Sequence, residues 1–334
     1  MNSIPDLSGV ACAARAAVLL AALLIAPFSG ESRAQDAWPS RAVRVVVPSS
    51  PGGGTDVYAR LIANALGESL RQQFVVDNRP GASGNIGAEI VARAAPDGYT
   101  ILISASPAVI INPSLFRNLS YDVERDLAPV SGGVVSPMVF CVHPSAPIRS
   151  VADLVQAAKK DPGNLSYGSA GVGSATNLGV RMLAERSGVT FLHVPYKGLA
   201  PAVSALLGGQ IRFLLADVPS AISQLRSGKL TGIAVTNRLG TLPNIPTMSE
   251  AGFENFDVAA TFSVMAPAGT PAAIIQRLNA EITAAMKNPS LAEKLEAQSL
   301  IPVFDTPEQF GARLKSLRTM WAAFIRRNSI VQEQ

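Results

Sequence analysis

The chain has 334 residues, of which 48% are hydrophobic, and its 28 Lys and Arg side chains stand against 24 Asp and Glu side chains. This small positive excess is not gathered into a basic stripe with interleaved aromatic residues, so the sequence argues against nucleic-acid binding. Two histidines and two cysteines are too few for a metal cluster, and we expect neither a metal nor a cofactor.

The amino terminus has the pattern of a secretory signal peptide. Arg15 precedes an apolar run over residues 16–26, and residues 32–34 supply the small side chains that a signal peptidase reads. The run is shorter than the roughly 20 residues that cross a bilayer, although an uncleaved anchor is the alternative. We predict that residues 1–34 are removed on export. The mature chain then keeps one cysteine, Cys141, which we interpret as a small buried hydrophobe.

After this segment, apolar strands alternate with amphipathic helices, the pattern of parallel sheets covered by helices on both faces. Roughly 300 mature residues exceed the usual size of one hydrophobic core, so two domains are expected. The sequence therefore predicts an α/β protein with doubly wound sheets. Strands are predicted over residues 43–47, 74–76, 99–104, 139–142, 165–167, 191–194, 211–216 and 232–235, and helices over residues 56–70, 86–94, 151–159, 175–186, 200–207 and 271–286.

Two extended segments indicate crossings between lobes. Residues 130–142 and residues 261–266 each run into proline-bearing turns that resist helix. If both are connectors, the chain enters a second lobe and later returns to the first. The predicted lobes are residues 39–142 plus 267–334 for lobe I and residues 143–266, inserted, for lobe II.

Three strand-to-helix junctions are rich in glycine and hydroxyl residues, and they follow the strands predicted at residues 43–47, 74–76 and 165–167. Such a junction directs unpaired backbone N–H groups and the positive end of a helix dipole at one spot, which suits a carboxylate or phosphate. Together the loops indicate one small acidic ligand held between lobes. The alternative is that they are tight turns or junctions that only pack.

Seven motifs occur in order along the mature chain. They are PSSPGGGTD at residues 48–56, NRPGASGNIG at 78–87, APDGYT at 95–100, VPYKG at 194–198, LLGGQ at 206–210, PTMSE at 246–250 and APAGTP at 266–271. Taken together, the motifs resemble the signature of the Bug-type receptors, which are the extracytoplasmic substrate-binding proteins of tripartite tricarboxylate transporters.

The resemblance implies a two-lobed periplasmic binding protein of type II, a Venus flytrap with the ligand in the cleft between its lobes. Such a protein binds a small carboxylate, which is an organic acid, an amino acid or a related compound, and delivers it to membrane permease subunits. We expect a monomer in the periplasm with no nucleic-acid partner. The alternatives are a sensor that presents the ligand to a membrane signalling protein, or a secreted enzyme that uses the same cleft.

Backbone amides and hydroxyls of the three loops are the predicted contacts to a ligand carboxylate, since each charge-assisted hydrogen bond contributes roughly 1.5–3 kcal/mol. Asp56 is assigned to the start of a helix instead, because its carboxylate would repel an acidic ligand. The predicted contacts are Pro51, Gly52, Gly53 and Thr55 in the first loop, Gly81, Ala82, Ser83 and Gly84 in the second, and Ser169, Ala170, Gly173, Ser174, Thr176 and Asn177 in the third.

Four further residues are predicted at the cleft. Ser104 and Ser106 follow the strand that begins at Tyr99, and Tyr196 lies in another strand-to-helix turn. Asp217 ends a strand, where ligands of parallel sheets bind, and it accepts a hydrogen bond from an amine, a hydroxyl or a bound water in this interpretation. The competing interpretation makes Asp217 the cap of the following helix.

Arg181 occupies a position where many relatives have an acid. It either brings positive charge near the cleft or is a solvated helix residue, as most arginines are.

The motifs of common enzymes are missing from the sequence. Neither His143 nor His193 accompanies a serine elbow, and no Gly-x-Ser-x-Gly occurs. No Gly-Lys-Ser/Thr follows a glycine-rich loop, and no loop has the complete glycine spacing of a dinucleotide-binding motif. We therefore expect a binding protein without catalytic residues, and we interpret His193 as a core histidine.

Overall fold

The computed structural model describes residues 38–256 and 258–327, and the predicted signal peptide lies outside them. Within these residues, no helix combines the length and the apolar character needed to cross a membrane. The strands are β1 (Val43–Val47), β2 (Phe74–Asn78), β3 (Thr100–Ala105), β4 (Leu127–Val142), β5 (Ser166–Ser169), β6 (Leu192–Pro195), β7 (Phe213–Asp217), β8 (Thr231–Val235), β9 (Ala259–Pro267) and β10 (Ile301–Pro302).

The helices surround these strands, and most of them follow a strand directly. A 3-10 turn (Ala82–Gly84) and a π-helical turn (Pro107–Ile111) add to them. The α-helices are α1 (Gly54–Leu70), α2 (Asn85–Ala92), α3 (Asn112–Leu115), α4 (Val123–Asp126), α5 (Val151–Lys160), α6 (Ala175–Ser187), α7 (Leu199–Leu207), α8 (Val218–Arg226), α9 (Ala272–Lys287), α10 (Pro289–Ala297) and α11 (Pro307–Arg327).

The strands pair in the order β2-β1-β3-β9-β4-β7-β5-β6, and β8 and β10 both pair with β4. The neighbours β2, β1 and β3 are parallel, as are β7, β5 and β6, whereas β9 and β4 run antiparallel to their neighbours. The sheet therefore has a parallel half on each side of a central antiparallel pair. This arrangement agrees with the predicted α/β class.

Strand β4 belongs to both halves of the sheet. Its residues 127–137 pair with β9, and its residues 138–142 pair with β7. The antiparallel strands β4 and β9 are thus the two crossings that the sequence predicts at residues 130–142 and 261–266. The lobe boundaries drawn from those crossings stay predictions.

Several elements differ from the sequence-based expectation. The strand expected at residues 139–142 is only the end of the 16-residue β4, because its earlier residues find pairing partners in β9. Helices α3, α4, α10 and α11 and the π-helical turn were not expected, and α8 was expected only in the alternative that makes Asp217 a helix cap. Burial of Phe310, Leu314 and Ile325 fixes α11 against the sheet, which shows that tertiary packing decides a helix of weak local signal.

Each half of the sheet has its own hydrophobic core. The first core gathers Leu102, Ile111 and Phe310, all at most 2% exposed. The second core includes Leu214 and Cys141, both fully buried. Burial raises the pKa of the Cys141 thiol well above its usual value, which confirms the interpretation of this cysteine as an inert apolar side chain.

Candidate functional site

A cavity of about 290 Å³ lies where the carboxyl ends of the parallel strands from both halves of the sheet meet. Its walls are the loops that follow β1, β2, β3 and β5, the turn after β6, the end of β7, one residue of β4 and two residues of β9. Carboxyl ends of parallel strands are the usual place for ligands in such sheets. The fold therefore brings the three predicted glycine-rich loops to one concave site.

Most of the predicted site residues line this cavity. Five others lie outside its lining: Pro51 and Gly52 are exposed, whereas Ser169, Gly173 and Asn177 are buried behind the third loop. The predicted residues in the lining are Gly53, Thr55, Gly81, Ala82, Ser83, Gly84, Ser104, Ser106, Ala170, Ser174, Thr176, Tyr196 and Asp217.

The first loop presents donors at the start of α1. Thr55 is 5% exposed, and neither its hydroxyl nor the N–H groups of Gly53 and Thr55 find an acceptor among the described residues. The first N–H groups of a helix have no partner within the helix, and the dipole adds positive potential there. The cavity wall at α1 is therefore suited to an anion.

Asp56 stabilises this loop from behind. Its Oδ2 accepts hydrogen bonds from Gly52 N at 2.9 Å and Arg60 Nε at 3.0 Å, and its Oδ1 accepts from Asn78 Nδ2 at 3.0 Å. Burial works to raise the pKa of Asp56, but these hydrogen bonds outweigh it and hold the pKa below its usual value. Asp56 is a helix-start residue outside the cavity lining, as the sequence indicates.

The second loop has a strained backbone. Ala82 and Ser83 both have positive φ angles, 45° and 53°, which cost about 1 kcal/mol or more each for residues with a side chain. Ser83 Oγ donates to Val172 O of the third loop at 2.9 Å, and Asn112 Nδ2 donates to Ser83 O at 3.0 Å. Residues with such unusual backbone angles are common at functional sites. Here the hydrogen bond from Ser83 to Val172 holds the second loop against the third.

The third loop uses its polar groups for its own structure. Ala170 N donates to Thr176 Oγ1 at 3.0 Å, and Gly173 N donates to Asn177 Oδ1 at 3.1 Å. Ser174 caps α6 by accepting from Asn177 N at 3.2 Å. Local hydrogen bonds therefore occupy several of the amides and hydroxyls that the sequence directs at a ligand. Their contact with a ligand stays a prediction.

A polar cluster lies behind the third loop. His193 Nε2 is 2.6 Å from Ser169 Oγ, and the imidazole stacks on Tyr167 with 4.8 Å between the ring centroids. Burial and then the charge of Arg181 lower the pKa of His193 to about 4. Arg181 itself is exposed on α6, which favours its interpretation as a solvated residue. His193 is half-buried and neutral, and it supports the loop.

The low pKa of His193 predicts a loss of stability in acid. The folded chain favours the neutral ring, so the stabilisation is present above pH 6.5 and is lost as the pH falls toward 4. Urea unfolding of the wild type and His193→Gln at pH 7 and pH 4.5 measures this. Because solvent screens a half-buried group, we expect the wild type to lose only about 1 kcal/mol more than the variant, and equal losses would contradict the assignment.

Asp217 is both a helix cap and a cavity residue. Its side chain is 4% exposed, and its Oδ1 accepts from Ser220 N at 3.0 Å and from Ser220 Oγ at 2.6 Å, which caps α8. Ser220 Oγ in turn accepts from Gly54 N at 2.9 Å. Burial raises the pKa of Asp217 to about 6, and the hydrogen bonds from Ser220 lower it only in part. The structure therefore confirms Asp217 as a helix cap, and its place in the cavity lining leaves the contact with a ligand as a prediction.

Most of the apolar wall of the cavity was not predicted from the sequence. Met138 of β4 and Phe262 of β9 line it, with Leu199 at the start of α7. The pairing of β4 with β9 positions the first two, and no local pattern reveals such long-range pairing. Within the described residues, no group of three or more His, Cys, Asp or Glu side chains is placed to hold a metal ion.

Comparisons with known proteins agree with this geometry. A family model described as the tripartite tricarboxylate transporter family receptor matches residues 58–328. Protein BugT of Bordetella pertussis is 37% identical over 294 residues, which cover 87% of this chain and 90% of BugT.

Two solved structures are also similar. The periplasmic binding protein BugD has a TM-score of 0.84 and 34% identity, with 88% of this chain and 100% of BugD covered. An R. palustris protein solved with adipate has a TM-score of 0.84 and 35% identity, with 86% of this chain and 97% of that protein covered. These similarities confirm the predicted two-lobed α/β fold of periplasmic binding proteins. The chain is therefore a member of the receptor family of tripartite tricarboxylate transporters.

Proposed function

We propose that the chain is an extracytoplasmic receptor that binds one small carboxylate in the cavity and delivers it to the permease subunits of a tripartite tricarboxylate transporter. The observation that carries the proposal is the start of α1, where the N–H groups of Gly53 and Thr55 and the Thr55 hydroxyl border the cavity and have no acceptor within residues 38–256 and 258–327. An anion there completes hydrogen bonds that the described chain leaves open.

The shape of the site supports a compact acid. Met138, Phe262, Leu199 and Tyr196 form an apolar wall, which suits the hydrocarbon part of a ligand whose carboxylate reaches α1. The adipate in the similar R. palustris structure is an acid of this kind. Under the proposal, residues 39–142 plus 267–334 and residues 143–266 are the two lobes, and movement at β4 and β9 opens the site.

Export to the periplasm fits the same role. The predicted signal peptide over residues 1–34 and the periplasmic relative BugD support this location, where a receptor meets its ligand before a permease does. A receptor of this kind needs no catalytic residue, and we propose that this chain has none.

A binding screen with a single-atom variant tests the proposal. Adipate, other organic acids and amino acids are added in a thermal-shift assay, and titration calorimetry then gives the affinity of each acid that stabilises the protein. At about 100 times its dissociation constant, a bound acid adds roughly 2.7 kcal/mol of stability. Thr55→Val keeps the side-chain shape and removes the hydroxyl, and we expect roughly 10- to 100-fold weaker binding.

The matched control is Thr190→Val, at an exposed threonine outside the cavity lining. This variant should bind as the wild type does. Unchanged affinity in Thr55→Val would refute the assigned site. Conversion of the added acids into products would refute the receptor role.

A further inference from the structure

We propose that Asp217 makes the cavity selective for carboxylic acids that carry a hydrogen-bond donor, an ammonium or a hydroxyl group, beside the carboxylate. This inference rests on the proposed carboxylate receptor and adds the substrate class.

The carboxyl group of Asp217 has one occupied oxygen and one open oxygen. Oδ1 accepts both hydrogen bonds from Ser220, whereas Oδ2 has no partner among the described residues. The side chain lines the cavity and is 4% exposed, so bulk water has little access to it. Oδ2 is not one of the fully buried side-chain atoms that lack a partner, so it keeps some accessible surface, and a donor on a ligand in the cavity would hydrogen-bond to it.

No cation of the described chain neutralises this group. Asp217 takes part in none of the ion pairs of the described residues. Besides Asp217, the one cavity-lining side chain with a formal charge in that part of the chain is Lys197, which is exposed. A ligand acid without a hydrogen-bond donor therefore places its carboxylate near the Asp217 carboxylate with nothing to offset the repulsion between the two like charges.

The start of α1 fixes where the donor must sit on the ligand. Gly54 lies so close to Asp217 that a Cβ on Gly54 would overlap the carboxyl group. The donors proposed for the ligand carboxylate, at Gly53 and Thr55, are the residues on either side of Gly54. A ligand held there places its α- or β-substituent beside Asp217, which selects 2-hydroxy acids, 2-amino acids and their close analogues.

The expected ratio of affinities between donor-bearing and plain acids follows from the cost of leaving Oδ2 of Asp217 without a donor once a ligand fills the cavity. Sites built to hydrogen-bond a hydroxyl or an amine reject analogues that lack it, in strong cases by 10⁴-fold or more. Asp217 can take up a proton when a plain acid binds, which reduces the repulsion between the two carboxyl groups. We therefore expect a smaller ratio of affinities, at least about tenfold, between matched acids.

Two matched series of acids test the proposal by titration calorimetry at pH 7.5. One series is succinate, malate and aspartate, and the other is phenylacetate, mandelate and phenylglycine. In the wild type, the hydroxy or amino member of at least one series should bind at least tenfold more tightly than its plain acid. Equal or tighter binding of the plain acids would overturn the inference.

Asp217→Asn supplies the decisive comparison. Asparagine caps helices as well as aspartate does, so its oxygen keeps the Ser220 contacts and its NH₂ group replaces the open oxygen. We expect the preference for the donor-bearing acids to collapse and plain acids to bind at least as tightly as before. A ratio that survives in Asp217→Asn would overturn the role of this residue.

The matched control is Asp122→Asn, which changes another helix-capping aspartate, at the start of α4 and outside the cavity lining. Its preference should equal that of the wild type, and an equal collapse in this variant would count against a specific role of Asp217. Binding of plain acids without any preference leaves the receptor function intact and refutes only this inference. Failure of every acid to bind would count against both.

Discussion

Replacing Gly54 with alanine is expected to weaken carboxylate binding at least 100-fold and to destabilise the free protein by about 0.5–2 kcal/mol, the usual cost of a lost helix cap. The new Cβ would overlap the Asp217 carboxyl group, which two hydrogen bonds from Ser220 hold in place. Either Asp217 leaves its capping position or the loops around the cavity move apart. Both responses disturb the donors at α1, and a 100-fold loss corresponds to about 2.7 kcal/mol of binding free energy.

The control for this variant is Gly67→Ala in the same helix. A Cβ there would lie 3.4 Å from Gln72 O, which is an ordinary contact. Alanine in a helix interior adds about 0.5–1 kcal/mol of stability relative to glycine, and binding should not change. Calorimetry with an acid from the screen, together with urea unfolding of both variants, measures the two effects. Wild-type affinity in Gly54→Ala would show that the contact with Asp217 is not needed for binding.

The close approach of Gly54 and Asp217 also marks the limit of what the sequence can predict. The two residues are far apart in the chain, and each has a complete local explanation, as a loop glycine and as a helix cap. Their contact depends on strands β1 and β7 ending at the same cavity. Local patterns predict each strand, but the contact comes from the crossing strands between them.

The predicted strands are those whose signal is local. The run Val43–Val47 is β-branched and buried almost throughout, so its strand is evident from the sequence. In contrast, β4 contains Pro129, Pro137 and the pair Gly132 and Gly133, which disfavour a strand. Long-range pairing with β9 overrides this local preference and accounts for the length of β4.

The residues of the candidate site also divide into those with a local sequence signal and those placed by long-range pairing. Glycine-rich loops identify Gly53, Thr55 and Gly84, because loop chemistry depends on residue type and spacing. Phe262 is missed because its place in the wall depends on β9. The hydroxyl of Ser174 illustrates a second limit: the sequence supplies a polar group, but only the fold decides that it donates to Gly171 O at 2.6 Å instead of remaining free.

Gly133 in β4 is the position where a single added carbon should cost the most stability. Its φ is +60°, and a Cβ there would overlap the carbonyl group of Phe262 and lie 2.9 Å from Tyr58 Oη. The overlapped backbone belongs to β9, the other strand that joins the two halves of the sheet. Overpacking and the left-handed backbone together predict a loss of about 2–4 kcal/mol for Gly133→Ala.

A second glycine separates these two causes. Gly209 has a φ of +69° with no atom within 4 Å of an added Cβ, so Gly209→Ala carries the backbone cost alone, about 1 kcal/mol. Denaturant unfolding of the two variants gives the difference as the cost of overlap between β4 and β9. Equal losses would mean that the crossing strands yield to an extra carbon. A larger loss in Gly133→Ala would show that β4 and β9 pack too closely at this point to admit an extra carbon.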